Sequence, residues 1–196
     1  MRTRLARALE ADSPDTARLI MDGQTTLNDV PLDGLTGWTL VDVQNRKPPH
    51  PRRIAVALSD AGAATVLSGD PEAFNTVVGG SVGTLTAARA TKIAQVFFDL
   101  TRDFTVWSYR VESTDDIQWL PKPKADQAKR RDALITEFGD RIKPPAAEAE
   151  GQGWSLTLWS VSGNQLVQHD LVIAADGTVN TTSVVAAENV PVPASA

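Results

Sequence analysis

Cysteine is absent from this chain of 196 residues. Disulfides, thiolate-held metals and cysteine nucleophiles are therefore excluded. Histidine is scarce: only His50 and His169 occur, beside a single tyrosine, Tyr109. Proton shuttling near neutral pH is thus confined to two positions. The familiar chemical signatures are missing too. No HExxH, Walker or GxGxxG pattern is present. Gly79-Gly80-Ser81-Val82-Gly83 has the letters of GxSxG, but Asp70-Pro71 signals a helix rather than a strand before it, so it does not read as a nucleophile elbow. The acidic pairs Asp29/Asp33, Asp115/Asp116 and Glu148/Glu150 lack calcium-loop spacing. These absences predict neither a metal nor a cofactor. No apolar run reaches the roughly 20 residues a membrane helix needs. The N-terminal stretch MRTRLARALEADSPD is basic, but Arg4 and Arg7 interrupt its apolar character, so it does not read as a secretion signal. A cytoplasmic protein is expected, although the same composition suits an exported one whose leader has been removed. Excess cationic charge is lacking as well. The formal net charge of −5 argues against general nucleic-acid binding.

What is present is a well-punctuated alternation of helices and strands. Ser13-Pro14 and Asp70-Pro71 each pair an N-cap residue with proline at the first helical position. Residues 2–10 and 14–21 read as short helices, closed by Gly23. Residues 24–37 contain Pro31, Gly34 and Gly37 and read as a loop or ragged strand. Strands are expected at 38–44, 53–59, 63–69 and 104–113. Ala90, Ile93, Phe97 and Leu100 recur at helical spacing, making 84–102 the strongest helix. Residues 122–138 predict another, ended by Gly139. Gly80-Ser81-Val82-Gly83 reads as a helix–helix connector rather than a phosphate cradle, since no Lys-Ser/Thr follows it. From Trp154 to Ala186 the chain reads as a three-stranded meander, with tight turns at Gly163-Asn164 and Asp176-Gly177.

The pattern predicts an α+β fold: an antiparallel sheet of about five or six strands, the C-terminal meander forming one side and the long helix packed across one face in a roll-like arrangement. The expected organisation is an N-terminal helical segment at 1–23, a single α+β domain at 24–190 and an extended tail at 191–196.

Two constellations could carry function. Arg46, Lys47, His50, Arg52 and Arg53 cluster in a loop stiffened by Pro48, Pro49 and Pro51. Proline lowers the entropy lost when such a loop is held against a partner, so a protein or anionic ligand is the partner expected. Replacing Arg52 and Arg53 by alanine should weaken that engagement without unfolding the chain. Trp119, just before Pro121, is expected to stand exposed as an aromatic anchor, whereas Trp107 is expected in the core. These features predict a non-catalytic binding or interaction protein. The alternative is a small-molecule enzyme or ligand-binding protein with a pocket between sheet and long helix, drawing on Tyr109, Arg110, His169 and Asp170. His169 and Asp170 are adjacent in a strand and point to opposite faces, so they cannot form a dyad. A homo-oligomer is compatible with either reading.

Overall fold

The computed structural model describes residues 1–48 and 51–193. The chain is α+β, with two antiparallel sheets. It forms two compact units: Met1–Phe104 with Ala174–Val179, and Thr105–Ile173 with Asn180–Ala196.

The first unit has a sheet in the order β1-β2-β3-β4, made of Thr25–Val30, Trp38–Asn45, Arg52–Ser59 and Ala64–Val66. Alternation sorts the side chains of β2 and β3 onto two faces. Val41, Val43, Val56 and Leu58 point one way. Helices α1 (Arg2–Leu9) and α2 (Pro14–Met21) cover them with Leu5, Leu9, Ala17 and Ile20. The N-terminal helices are therefore part of this unit's core. Leu40, Asp42, Ala55 and Ala57 point the other way and are buried as well. The helices α3 (Pro71–Val78) and α4 (Ala87–Thr101) pack on each other, with Phe74 and Phe97 edge to face at 5.4 Å, and α4 packs on β3.

Of the two N-caps the sequence signals, Asp70 bonds the first turn of its helix, whereas the Ser13 side chain makes no capping bond. Asp70 Oδ1 accepts the Ala73 N–H at 2.9 Å, and the Thr86 hydroxyl accepts the Arg89 N–H at 3.3 Å. Exchanging Asp70 for alanine orphans a first-turn donor. It should cost about 1 kcal/mol, read as a lowered urea midpoint, while Asp70→Asn should lose little.

In the second unit the sheet order is β5-β7-β8-β9, with β6 also paired to β7. These strands span Ser108–Val111, Glu148–Glu150, Gly153–Ser162, Gln165–Ile173 and Val179–Ala187. Helix α5 (Ala125–Phe138) contributes Leu134 and Phe138 to a core shared with Val111, Trp159, Val161 and Leu166. Phe138 meets Trp159 edge to face at 5.8 Å. Past β9 the chain is held through Val192: Val190 and Val192 join this core, and Pro191 accepts the Leu120 N–H at 2.9 Å.

Several expectations need correction. The strands divide between two sheets rather than building one. The run 104–113 is a strand only over 108–111, followed by a 3-10 turn at Thr114–Asp116. The second meander turn has a three-residue loop, Ala175–Gly177, instead of two residues. Ala174 donates to the Thr178 carbonyl at 2.9 Å, Gly177 donates to that of Ala174 at 2.9 Å, and only Gly177 takes a positive φ, 93°. That is the geometry of a type I turn with a glycine bulge. At the first turn Gly163 alone has a positive φ, 56°, as a type II′ turn requires.

Candidate functional site

The basic loop connects β2 to β3 at the end of their hairpin, where Asn45 faces Arg52 and Gln44 faces Arg53. His50 lies outside the described residues. Arg46, Lys47 and Arg52 are exposed. Arg46 reaches the side-chain oxygen of its neighbour Gln44 at 3.3 Å. The Lys47 backbone N–H donates to the Asn45 side chain at 3.0 Å. Among the described residues neither Lys47 nor Arg52 enters an ion pair with a carboxylate.

Arg53 is different. Its Nε donates to Asp42 Oδ1 at 2.8 Å, and its guanidinium carbon lies 4.7 Å from the centroid of Phe104. Arg102 approaches the same ring at 5.0 Å, so Phe104 has two cationic neighbours. Asp42 is 6% exposed and also accepts from Gln44 Nε2 at 2.6 Å. A buried carboxylate is costly unless paired. Arg53 therefore compensates Asp42, so Arg53→Ala is expected to cost stability as well as a surface charge. Asp42 was visible in the sequence as a charge on an otherwise apolar strand face. Its partner was not, because that depends on the hairpin register.

The two tryptophans exchange places relative to expectation. Trp119 is half-buried against the second unit's core, and its Nε1 donates to the Thr114 carbonyl at 3.2 Å. Trp107 precedes β5 and is 40% exposed, its ring 6.0 Å from that of Tyr109.

The four residues of the alternative pocket are split by the sheet. Register pairs Tyr109 with Val161 and Asp170 with Thr157, which places both on the face that carries Trp159. Arg110 faces Ser160 and His169 faces Leu158, on the opposite face. The half-buried Tyr109 has its pKa raised by burial, partly offset by the Gln118 N–H donating to its oxygen at 2.9 Å. Arg110 reaches Glu112 at 3.4 Å. Asp170 is exposed and accepts from Thr157 at 2.8 Å and Gln168 at 3.0 Å. It borders an open groove of about 640 Å³, with Arg141 and Lys143 after α5 and Glu148 and Glu150 on β6. No common location for these four charges is legible in the sequence, because β6 is a strand only through pairing with β7.

His169 sits between two hydroxyls. Its Nε2 is 2.8 Å from Ser160 Oγ and its Nδ1 is 2.7 Å from Ser183 Oγ. Counting back from the closure between Ala174 and Thr178 places His169 across from Ser183, which explains the second bond. Burial pushes the imidazole down to about 4, with the charge of Asp170 pulling weakly upward. Ser–His contact at this distance resembles an activated nucleophile. However, Ser160 is only 1% exposed, which denies a substrate the approach that attack requires. The arrangement satisfies both nitrogens of a half-buried ring. Among the described residues no group of three histidine or carboxylate side chains could hold a metal ion, and no helix is long and apolar enough to cross a membrane.

The chain matches no family model, no curated protein and no solved structure.

Proposed function

We propose that the protein is a non-catalytic binding protein that engages an anionic partner, a protein or a ligand, through the β2–β3 loop. One observation carries this reading: Lys47 and Arg52 are exposed at a hairpin end without a carboxylate partner among the described residues, in a chain whose net charge is −5. Unpaired surface cations in an acidic protein attract anions at little structural cost. The three prolines limit the entropy the loop loses on binding. Arg46 adds a third exposed cation, whereas Arg53 is committed to Asp42.

The test is thermal unfolding of the full chain with inorganic tripolyphosphate and, separately, a hexaglutamate peptide. A ligand at about a hundredfold its dissociation constant adds nearly 3 kcal/mol, so one probe should raise the midpoint. The double exchange Lys47→Glu/Arg52→Glu should abolish that rise. It should leave the ligand-free stability within about 0.5 kcal/mol, as for other exposed substitutions. An undiminished rise in the variant, or no rise with either probe in the native chain, would remove the loop from the reading.

A further inference from the structure

We propose that β9 is a pairing edge at which two copies of this chain join their second-unit sheets, strand to strand and antiparallel. An edge strand presents a row of unpaired N–H and C=O groups, and proteins ordinarily blunt such rows with charge, proline or brevity. The other edges described here are blunted. In the first unit, β1 carries Asp29 and β4 is three residues long; in the second, β5 is four residues long and contains Arg110, while β6 is three residues with two glutamates.

β9 has neither charge, proline nor brevity, and only its first residue is covered: the Asn75 side chain donates to the Val179 carbonyl at 3.0 Å and accepts the Val179 N–H at 2.8 Å. Its nine residues, VNTTSVVAA, include no charge and no proline. Every residue from Asn180 to Val185 is exposed, with Val184 at 56% and Val185 at 45%. Val172 on the neighbouring strand is also exposed, at 44%, across from Asn180. β8 is its one neighbour in the sheet.

The chemistry of the strand selects the occupant. A charged peptide laid along β9 would find no opposite charge to meet. A second copy meets no like charge on β9 itself, and the exposed Asp170 of β8, across from Thr182, is held by Thr157 and Gln168, even though each chain carries −5 overall. A two-fold axis at Ser183 places Thr182 opposite Val184 and Thr181 opposite Val185, pairs of β-branched side chains that stabilise a ladder. The contact is isologous, so it closes at two copies.

The test is the mass of the full chain in solution as its concentration is raised, together with amide exchange along 179–187. Self-pairing predicts a mass rising from one chain towards two, with slower exchange in β9 as it rises. Val184→Lys should hold the mass at one chain, because two lysines would then lie diagonally across the two-fold axis; an unchanged far-UV circular dichroism spectrum would establish that the variant folds. Three results would overturn the proposal: a mass of one chain at every concentration, a dimer whose β9 amides exchange at the monomer rate, or growth beyond two copies. A monomer whose β9 amides slow only on adding an extended Val-Thr peptide would assign the edge to a foreign strand and overturn self-pairing likewise.

Discussion

Replacing Gly177 with alanine is expected to destabilise the protein by about 3–4 kcal/mol, the sum of two separate faults. Gly177 holds φ at 93°, where an L side chain is strained. A Cβ there would stand 2.3 Å from Val82 Cγ2, well inside contact distance. The positive φ costs about 1–3 kcal/mol, and forcing a methyl into a packed site costs a similar amount. Val82 is 1% exposed, so it has little room to yield. Gly163 supplies the comparison: its φ is 56° and no atom lies within 4 Å of the Cβ position. Gly163→Ala should therefore cost only about 1–2 kcal/mol. Asparagine, which tolerates positive φ, should be nearly neutral at 163 and still severe at 177. Urea unfolding of the four variants followed by circular dichroism measures the difference. Equal losses at the two positions would mean that Val82 moves aside freely and that contact contributes nothing.

The fold class and the meander were legible because periodicity and turn chemistry are local. α4 declares itself through Ala90, Ile93, Phe97 and Leu100, which are all buried. Asp70 caps α3 as its sequence context predicts. What escaped was whatever depends on pairing between distant segments. The division into two sheets is one instance, since strand alternation says which residues share a face but not which strand lies alongside. β6 is another: Glu148–Glu150 has no strand-like composition, and its extended form comes from pairing with β7. Trp107 and Trp119 were exchanged for a similar reason. The aromatic run around Trp107 reads as core, yet β5 begins only at Ser108, while Trp119 is drawn inward by a bond to Thr114 five residues back. In the basic loop, composition identified the cations but not that one of them was already committed. Arg53 and Asp42 sit on neighbouring strands, and only the register, with Gln44 facing Arg53, brings them together.

His169 gives the second large effect, one that depends on pH. The face it would share with Val167, Leu171 and Ile173 could be read from alternation. The two serines that hold it could not, because Ser160 and Ser183 lie on neighbouring strands. The ordinary imidazole pKa of 6.5 falls to about 4 in the fold, first through burial, with Asp170 opposing. A depressed histidine pKa means that the unfolded chain takes up the proton first. Above pH 6.5 the ring is neutral in both states and imposes no penalty. Between 6.5 and about 4 the unfolded state binds more protons, so stability falls as the pH falls. Below about 4 both states are protonated and the loss levels off. At about 1.4 kcal/mol per pH unit, the full loss is roughly 3 kcal/mol. His169→Gln, which keeps hydrogen-bonding capacity without a titrating ring, should flatten the stability profile across that window. A separate decline should survive in the variant at lower pH. The backbone N–H of Glu112 holds the Asp116 carboxyl below its ordinary 3.8, and the backbone N–H of Thr178 does so for Asp176. Groups depressed in this way stabilise the fold above 3.8 and lose that contribution as the pH drops through their folded values. Denaturant midpoints measured from pH 7 to 3 on both proteins separate the two windows. Parallel profiles between 6.5 and 4 would show that the ring is not the source of the loss, and that the two serine contacts hold it equally well with or without a proton.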